Sequence, residues 1–187
     1  TRCIAELQST HTECAANFDP LAATLAALKS TILPLINRLP PWATRWVATL
    51  LRNHPRTGLE YALPFFRLTI KVHKSPPEGR PITGNQRWIT QPLAELVAAL
   101  LLPFVTETLV FTRDSDQINR ELLEPIPTDD SADFACLYLI TYDIVRLYPS
   151  IPHELCYVLL QRHLRAQKCP FTDFIVAALR IILTCNY

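Results

Sequence analysis

Apolar and polar residues alternate through residues 65–74, strictly from Phe66 to His73: Phe66, Leu68, Ile70 and Val72 fall on one side, and Arg67, Thr69, Lys71 and His73 on the other. A repeat of two predicts a half-buried strand, here with a basic exposed side. Ser75-Pro76-Pro77-Glu78-Gly79 is turn chemistry. Arg80-Pro81-Ile82-Thr83-Gly84 then reads as a short returning strand, with Pro81 confining it to an edge or a bulge. Such a hairpin brings Lys74 and Arg80 to the two sides of its tip. A basic surface strand without a function fits the same residues equally well.

Elsewhere the period is helical. Asp19-Pro20 pairs a capping acid with proline at the first helical position. Leu21, Leu25, Leu28, Ile32, Leu35 and Ile36 follow at spacings of three and four, with Pro34 expected to kink the helix and Pro40-Pro41 to end it. A second helix over 42–52 places Trp42, Trp46, Val47 and Leu50 on one face as packing residues. Residues 53–60 form a polar turn and the expected boundary between an N-terminal helical region, 1–58, and the remainder, 59–187. After Gly84, Arg87 and Trp88 suit either backbone contacts and base stacking on a single-stranded template or a Trp that anchors the next helix. That helix starts at Thr90 and buries Leu93, Leu96, Val97, Leu100 and Leu101 until Pro103 interrupts it. Asp114 or Ser115 starts another. Beyond Pro152 an amphipathic helix turns Leu155, Val158, Leu159 and His163 inward, and Pro170 opens a last one that packs through Phe174, Ala177, Ala178 and Ile181.

Cys136-Leu-Tyr-Leu-Ile-Thr-Tyr142 is apolar on both faces and predicts a fully buried strand. It ends at Asp143, where α/β sheets place their chemistry; a turn or capping carboxylate is the plainer alternative. Charge sharpens the contrast. A net charge of +1 conceals five Lys and Arg against Glu78 alone in residues 65–90, and nine Asp and Glu against Arg113 and Arg120 in residues 107–143. A polyanion or triphosphate is drawn to the first region and metal ions to the second. Asp129, Asp130 and Asp133 lack the Gly and closing Glu of a calcium loop. With 49% apolar and 19% charged residues the chain is globular rather than disordered. Six cysteines without a C-x-x-C pair argue against zinc and suit reduced thiols inside a cell. No apolar run is long enough to span a membrane. The chain starts with Thr and contains no Met, as expected of an excised or partial reading frame.

Tyr142-Asp143-Ile144-Val145-Arg146-Leu147-Tyr148-Pro149-Ser150-Ile151-Pro152 resembles motif A of reverse transcriptases, in the form found in Penelope-like retroelements. The run Ile70-Lys71-Val72-His73-Lys74 with Gly79-Arg80-Pro81-Ile82 is similar to the fingers hairpin of Penelope-like and telomerase-type reverse transcriptases. The resemblance covers residues 60–187 and implies an α+β fold: a partial right-hand polymerase, with a fingers β-hairpin, an incomplete ferredoxin-like palm and the N-terminal helical region. It implies two Mg²⁺ ions, with Mn²⁺ as a substitute, held by Asp143 and the backbone carbonyl of Ile144. Lys74 and Arg80 would clamp the incoming dNTP, and Tyr148 would exclude the ribose 2′-OH. Beside them, Lys71 and His73 on the same polar side would touch template phosphates or remain solvated, and Arg87 and Trp88 are the further candidates for the RNA template. The last two helices would cover the palm sheet.

The implied reaction is two-metal nucleotidyl transfer from a dNTP to a DNA primer 3′-OH, in an intracellular, nuclear setting. The aromatic-x-Asp-Asp segment, the Gly segment under the nascent base pair, the thumb and a GIY-YIG nuclease are not visible. One Asp does not hold two divalent ions, so the chain alone is expected to be inactive, marginally stable and prone to aggregate. The rivals are a non-catalytic, decayed or domesticated nucleic-acid binder of polymerase fold, and an RNA-templated RNA polymerase, which Tyr148 disfavours.

Overall fold

The computed structural model describes residues 18–72, 75–106, 112, 114–123, 141, 142, 144 and 147–185, and for 78, 81, 122, 123, 148 and 149 the backbone alone. Within these residues the fold is α+β, with seven α-helices and one two-stranded antiparallel sheet. In chain order the elements are α1 (Pro20–Thr31), a 3₁₀ helix (Leu33–Arg38), α2 (Pro41–Leu50), β1 (Phe65–Lys71), β2 (Glu78–Gly84), α3 (Thr90–Val105), α4 (Ser115–Leu123), α5 (Leu147–Ser150), α6 (His153–Ala166) and α7 (Thr172–Thr184).

The helix starts follow their capping chemistry. Asp19 Oδ1 accepts from the amides of Leu21 and Ala22 at 2.9 and 3.0 Å, satisfying donors that the first turn leaves open. Asp114 Oδ1 does the same for Gln117 at the head of α4. Pro34 converts the end of the first helix into a 3₁₀ turn rather than bending it, because its ring removes a donor and crowds the preceding turn. Thr90 is not the cap of α3; it sits buried in the first turn, and Ile89 precedes it without a side-chain bond.

α3 and α7 pack on each other, α6 packs on α7, α1 on α7, and α2 on α3. Leu28, Val47 and Leu50 from the first helices share one core with Leu93, Leu96, Phe174 and Ile175. The turn at 53–60, expected to separate two regions, therefore runs across a single core. Its own polar groups are drawn in. His54 is buried, its Nδ1 3.3 Å from the Arg56 amide that donates to it. That leaves the proton on Nε2, 2.8 Å from Gln91 Oε1 on α3. Gln91 donates in turn to Glu95 Oε1, and Arg56 Nε lies 2.8 Å from Glu95 Oε2, close enough for ion pairing though not aligned as a hydrogen bond. Gly58 closes the turn at φ +67, in the left-handed region that favours glycine.

Two faces differ from expectation. Trp42 points away from the core, and α2 is buried through Ala43, Val47 and Leu50, with Trp46 half-buried and its indole N–H on the Pro92 carbonyl at 3.0 Å. On α6 the buried residues are Tyr157 and Leu164; Leu155, Val158, Leu159 and His163 are exposed. The helical period was read correctly, but α7 meets the opposite side. No helix among the described residues is long and apolar enough to cross a membrane.

Candidate nucleic-acid interface

The hairpin forms as the alternation predicts. Its ladder runs from Phe65 opposite Gly84 to Lys71 opposite Glu78. Directly opposed positions share a face, so positions Phe65, Arg67, Thr69 and Lys71 lie with Gly84, Ile82, Arg80 and Glu78, three cationic positions against one acidic one, while Phe66, Leu68 and Ile70 lie with Thr83, Pro81 and Gly79. Arg80 is not at the tip. The second strand begins at Glu78, two residues earlier than expected, and this places Arg80 in the ladder opposite Thr69, whose Oγ1 donates to the Arg80 carbonyl at 3.3 Å. Arg80 thus stands diagonally between Arg67 and Lys71, on one surface with both.

The expectation of a half-buried strand fails for a plain reason. Among the described residues nothing packs on the apolar side, and Phe66, Leu68, Ile70 and Val72 are all exposed. The sheet ends with two strands among the described residues, so neither face gains a partner layer.

What holds the hairpin is its base. The Ala62 amide donates to the Arg87 carbonyl at 3.0 Å, and Arg87 Nη2 returns a bond to the Glu60 carbonyl at 3.0 Å. The Tyr61 hydroxyl lies 2.7 Å from the Leu50 carbonyl and 3.1 Å from that of Asn53, tying the approach to the end of α2. Burial holds that hydroxyl well above the usual tyrosine pKa. Gly84 lies under the Phe65 ring, where a Cβ would meet ring carbons at 2.6 Å. Trp88 is 1% exposed and its indole N–H donates to the Cys185 carbonyl at 3.1 Å, at the end of α7.

Trp88 is therefore corrected as a template residue: a ring this deeply enclosed offers no surface for stacking a base, and it anchors α3 instead. Arg87 stays exposed but is engaged in holding the loop. Lys71 is half-buried on the cationic face and Arg80 is exposed there. His73, Lys74 and Asp143 lie outside the described residues, as do residues 1–17 and 136–140 of the strand expected over 136–142; the end of that stretch, Thr141 and Tyr142, is in no strand and is exposed, Tyr142 to 90%, so the expected burial fails there. Tyr148 falls within α5, whose backbone alone is described at that position; Ile144 is exposed. Whether the carboxylate at 143 faces the hairpin cations is thus outside the described residues. Among those residues no group of three or more His, Cys, Asp and Glu could hold a metal ion. Arg67 was recognisable from its phase with Lys71, four positions on along a strand with a repeat of two. The His54–Gln91–Glu95–Arg56 network had no such signal, since its members come from separate elements.

Compared with known proteins, the chain matches no family model, no curated protein and no solved structure.

Proposed function

We propose that the chain carries the fingers and the first part of the palm of an RNA-directed DNA polymerase of the Penelope-like retroelement type. In this reading the cationic face of the hairpin receives phosphates. Arg80 offers a guanidinium fork suited to phosphate oxygens, and Lys71 and Arg67 add positive charge beside it. Lys74 joins Arg80 at the dNTP, and Lys71 and His73 lie toward an RNA template. Tyr148 selects deoxynucleotides, and Asp143 with the Ile144 carbonyl holds Mg²⁺. The metal, when bound, stabilises charge on the phosphates and on the attacking primer 3′-OH.

The observation that carries the reading is the projecting hairpin with Arg67, Lys71 and Arg80 on one face, preceding the Tyr142-Asp143 segment in the chain. Fluorescence anisotropy with a primed RNA template tests the first half. Arg67→Ala, Lys71→Ala and Arg80→Ala should each weaken binding and lower the salt slope by about 1. Binding indifferent to all three sinks it. Incorporation of dNTP against rNTP, by a longer protein that includes this chain and a second acidic motif, tests the rest. A non-catalytic binder of the same fold shares the anisotropy result and incorporates neither.

A further inference from the structure

α6 turns one side to the core and leaves the other open. Leu155, Val158 and Leu159 are 53%, 59% and 52% exposed. With Ile151 and Arg162 they occupy a stripe about 100° wide, opposite buried Tyr157 and Leu164. Along it lies an open apolar groove of about 450 Å³, lined among the described residues by Ile151, Leu155 and Leu159 of one row, Pro152, Cys156 and Leu160 of the next, and His163. Rows of residues four apart are the ridges that interlock when helices pack.

The neighbouring row is Glu154, Val158, Arg162: acid, apolar, base. Turned end for end it reads base, apolar, acid, so it complements an antiparallel copy of itself about Val158. The Arg162 charge is free among the described residues, whereas Glu154 would have to share its carboxylate with Arg180. The Glu154 side chain is 77% exposed although it already accepts two bonds from Arg180, at 2.9 and 3.0 Å. Arg162 has no ion pair or hydrogen bond among the described residues. An isologous contact requires one patch that fits itself, and this row does.

We propose that this face is a self-association surface on which a second copy of the chain docks, α6 against α6, antiparallel about a two-fold axis near Val158. Leu155 and Leu159 of each copy enter the groove of the other, while Glu154 meets Arg162 across the axis. Neither Asp143 nor the hairpin takes part, but the polymerase reading has this helix cover the palm sheet, so burial of the stripe in a longer protein that carries the whole palm would overturn the dimer and leave that reading standing. One helix face per copy makes a small interface, so the dimer is concentration-dependent.

Sedimentation equilibrium of the chain up to about 100 μM should show a reversible monomer–dimer equilibrium. Leu159→Glu should weaken it by about tenfold or more, with an unchanged thermal melt of the monomer. Arg162→Glu should also weaken it, and Glu154→Arg added to Arg162→Glu should restore it, a rescue that damage to the fold does not produce. With Cys156→Ser in place, Val158→Cys should give a disulfide-linked dimer on oxidation, and Arg45→Cys on α2 should not. A chain that stays monomeric throughout overturns the proposal, as does a dimer indifferent to Leu159→Glu. So does a monomer whose α6 stripe is shielded from solvent labelling, which would mean cover by the chain's own residues, such as 136–142.

Discussion

Leu50, Leu93 and Phe174 in the helical core are at most 1% exposed, whereas Phe66, Leu68 and Ile70 in the hairpin are 51–63% exposed. Both sets are large apolar side chains in regular elements, and they differ in what covers them. Four helices close around the first set from different directions. The second belongs to a sheet that has two strands and no second layer among the described residues, and such a sheet is marginal in isolation. The hairpin is held instead by hydrogen bonds at its base, from Ala62, Arg87 and Tyr61. The core thus supplies stability, and the hairpin supplies exposed surface: cations on one side and a bare apolar side on the other. Exposed apolar patches mark contact sites or aggregation liabilities.

Substitution should separate the two regions most sharply at Trp88 and Ile70. Trp88→Ala removes a fully enclosed ring and its bond to the Cys185 carbonyl, and should cost about 3–5 kcal/mol in urea unfolding. Ile70→Ala should cost less than about 1 kcal/mol and reduce aggregation in light scattering. Equal losses at the two sites would mean that the hairpin's apolar side is covered in solution. His54→Ala comes next, at about 1–3 kcal/mol, because it leaves the Gln91 amide oxygen without its buried partner.

Tyr61→Phe should cost about 1 kcal/mol through the lost bond to the Leu50 carbonyl, and its signature is alkaline. Because the folded chain holds the Tyr61 proton more tightly, the unfolded chain ionises first. Stability is then intact below about pH 10 and falls as pH rises past it. The variant should flatten that fall in denaturation at a series of pH values. The smallest effect belongs to Tyr157→Phe. The Tyr157 hydroxyl is buried without a hydrogen-bond partner among the described residues, and the Arg180 guanidinium, 4.1 Å over the ring, keeps its contact with Phe. Unfolding should be within about 0.5 kcal/mol of the parent, or more stable. A large loss would reveal a bond to that hydroxyl in solution.

The periods and punctuation of the sequence were enough to place the elements. Asp19-Pro20, Pro34, Pro40-Pro41 and Asp114 bound helices through local sterics and capping, and the alternation at 65–72 made the hairpin, because these effects act within a few residues. The cationic face was legible for the same reason: Arg67 and Lys71 share a phase. The tertiary structure decided which face of each element is covered. A period of 3.6 shows that α6 has an apolar stripe, but only the docking of α7 on the Tyr157 side leaves Leu155, Val158 and Leu159 exposed. It also decided that Trp88 is an anchor and that His54, Gln91, Glu95 and Arg56 meet, since burial and long-range hydrogen bonds depend on neighbours distant in sequence.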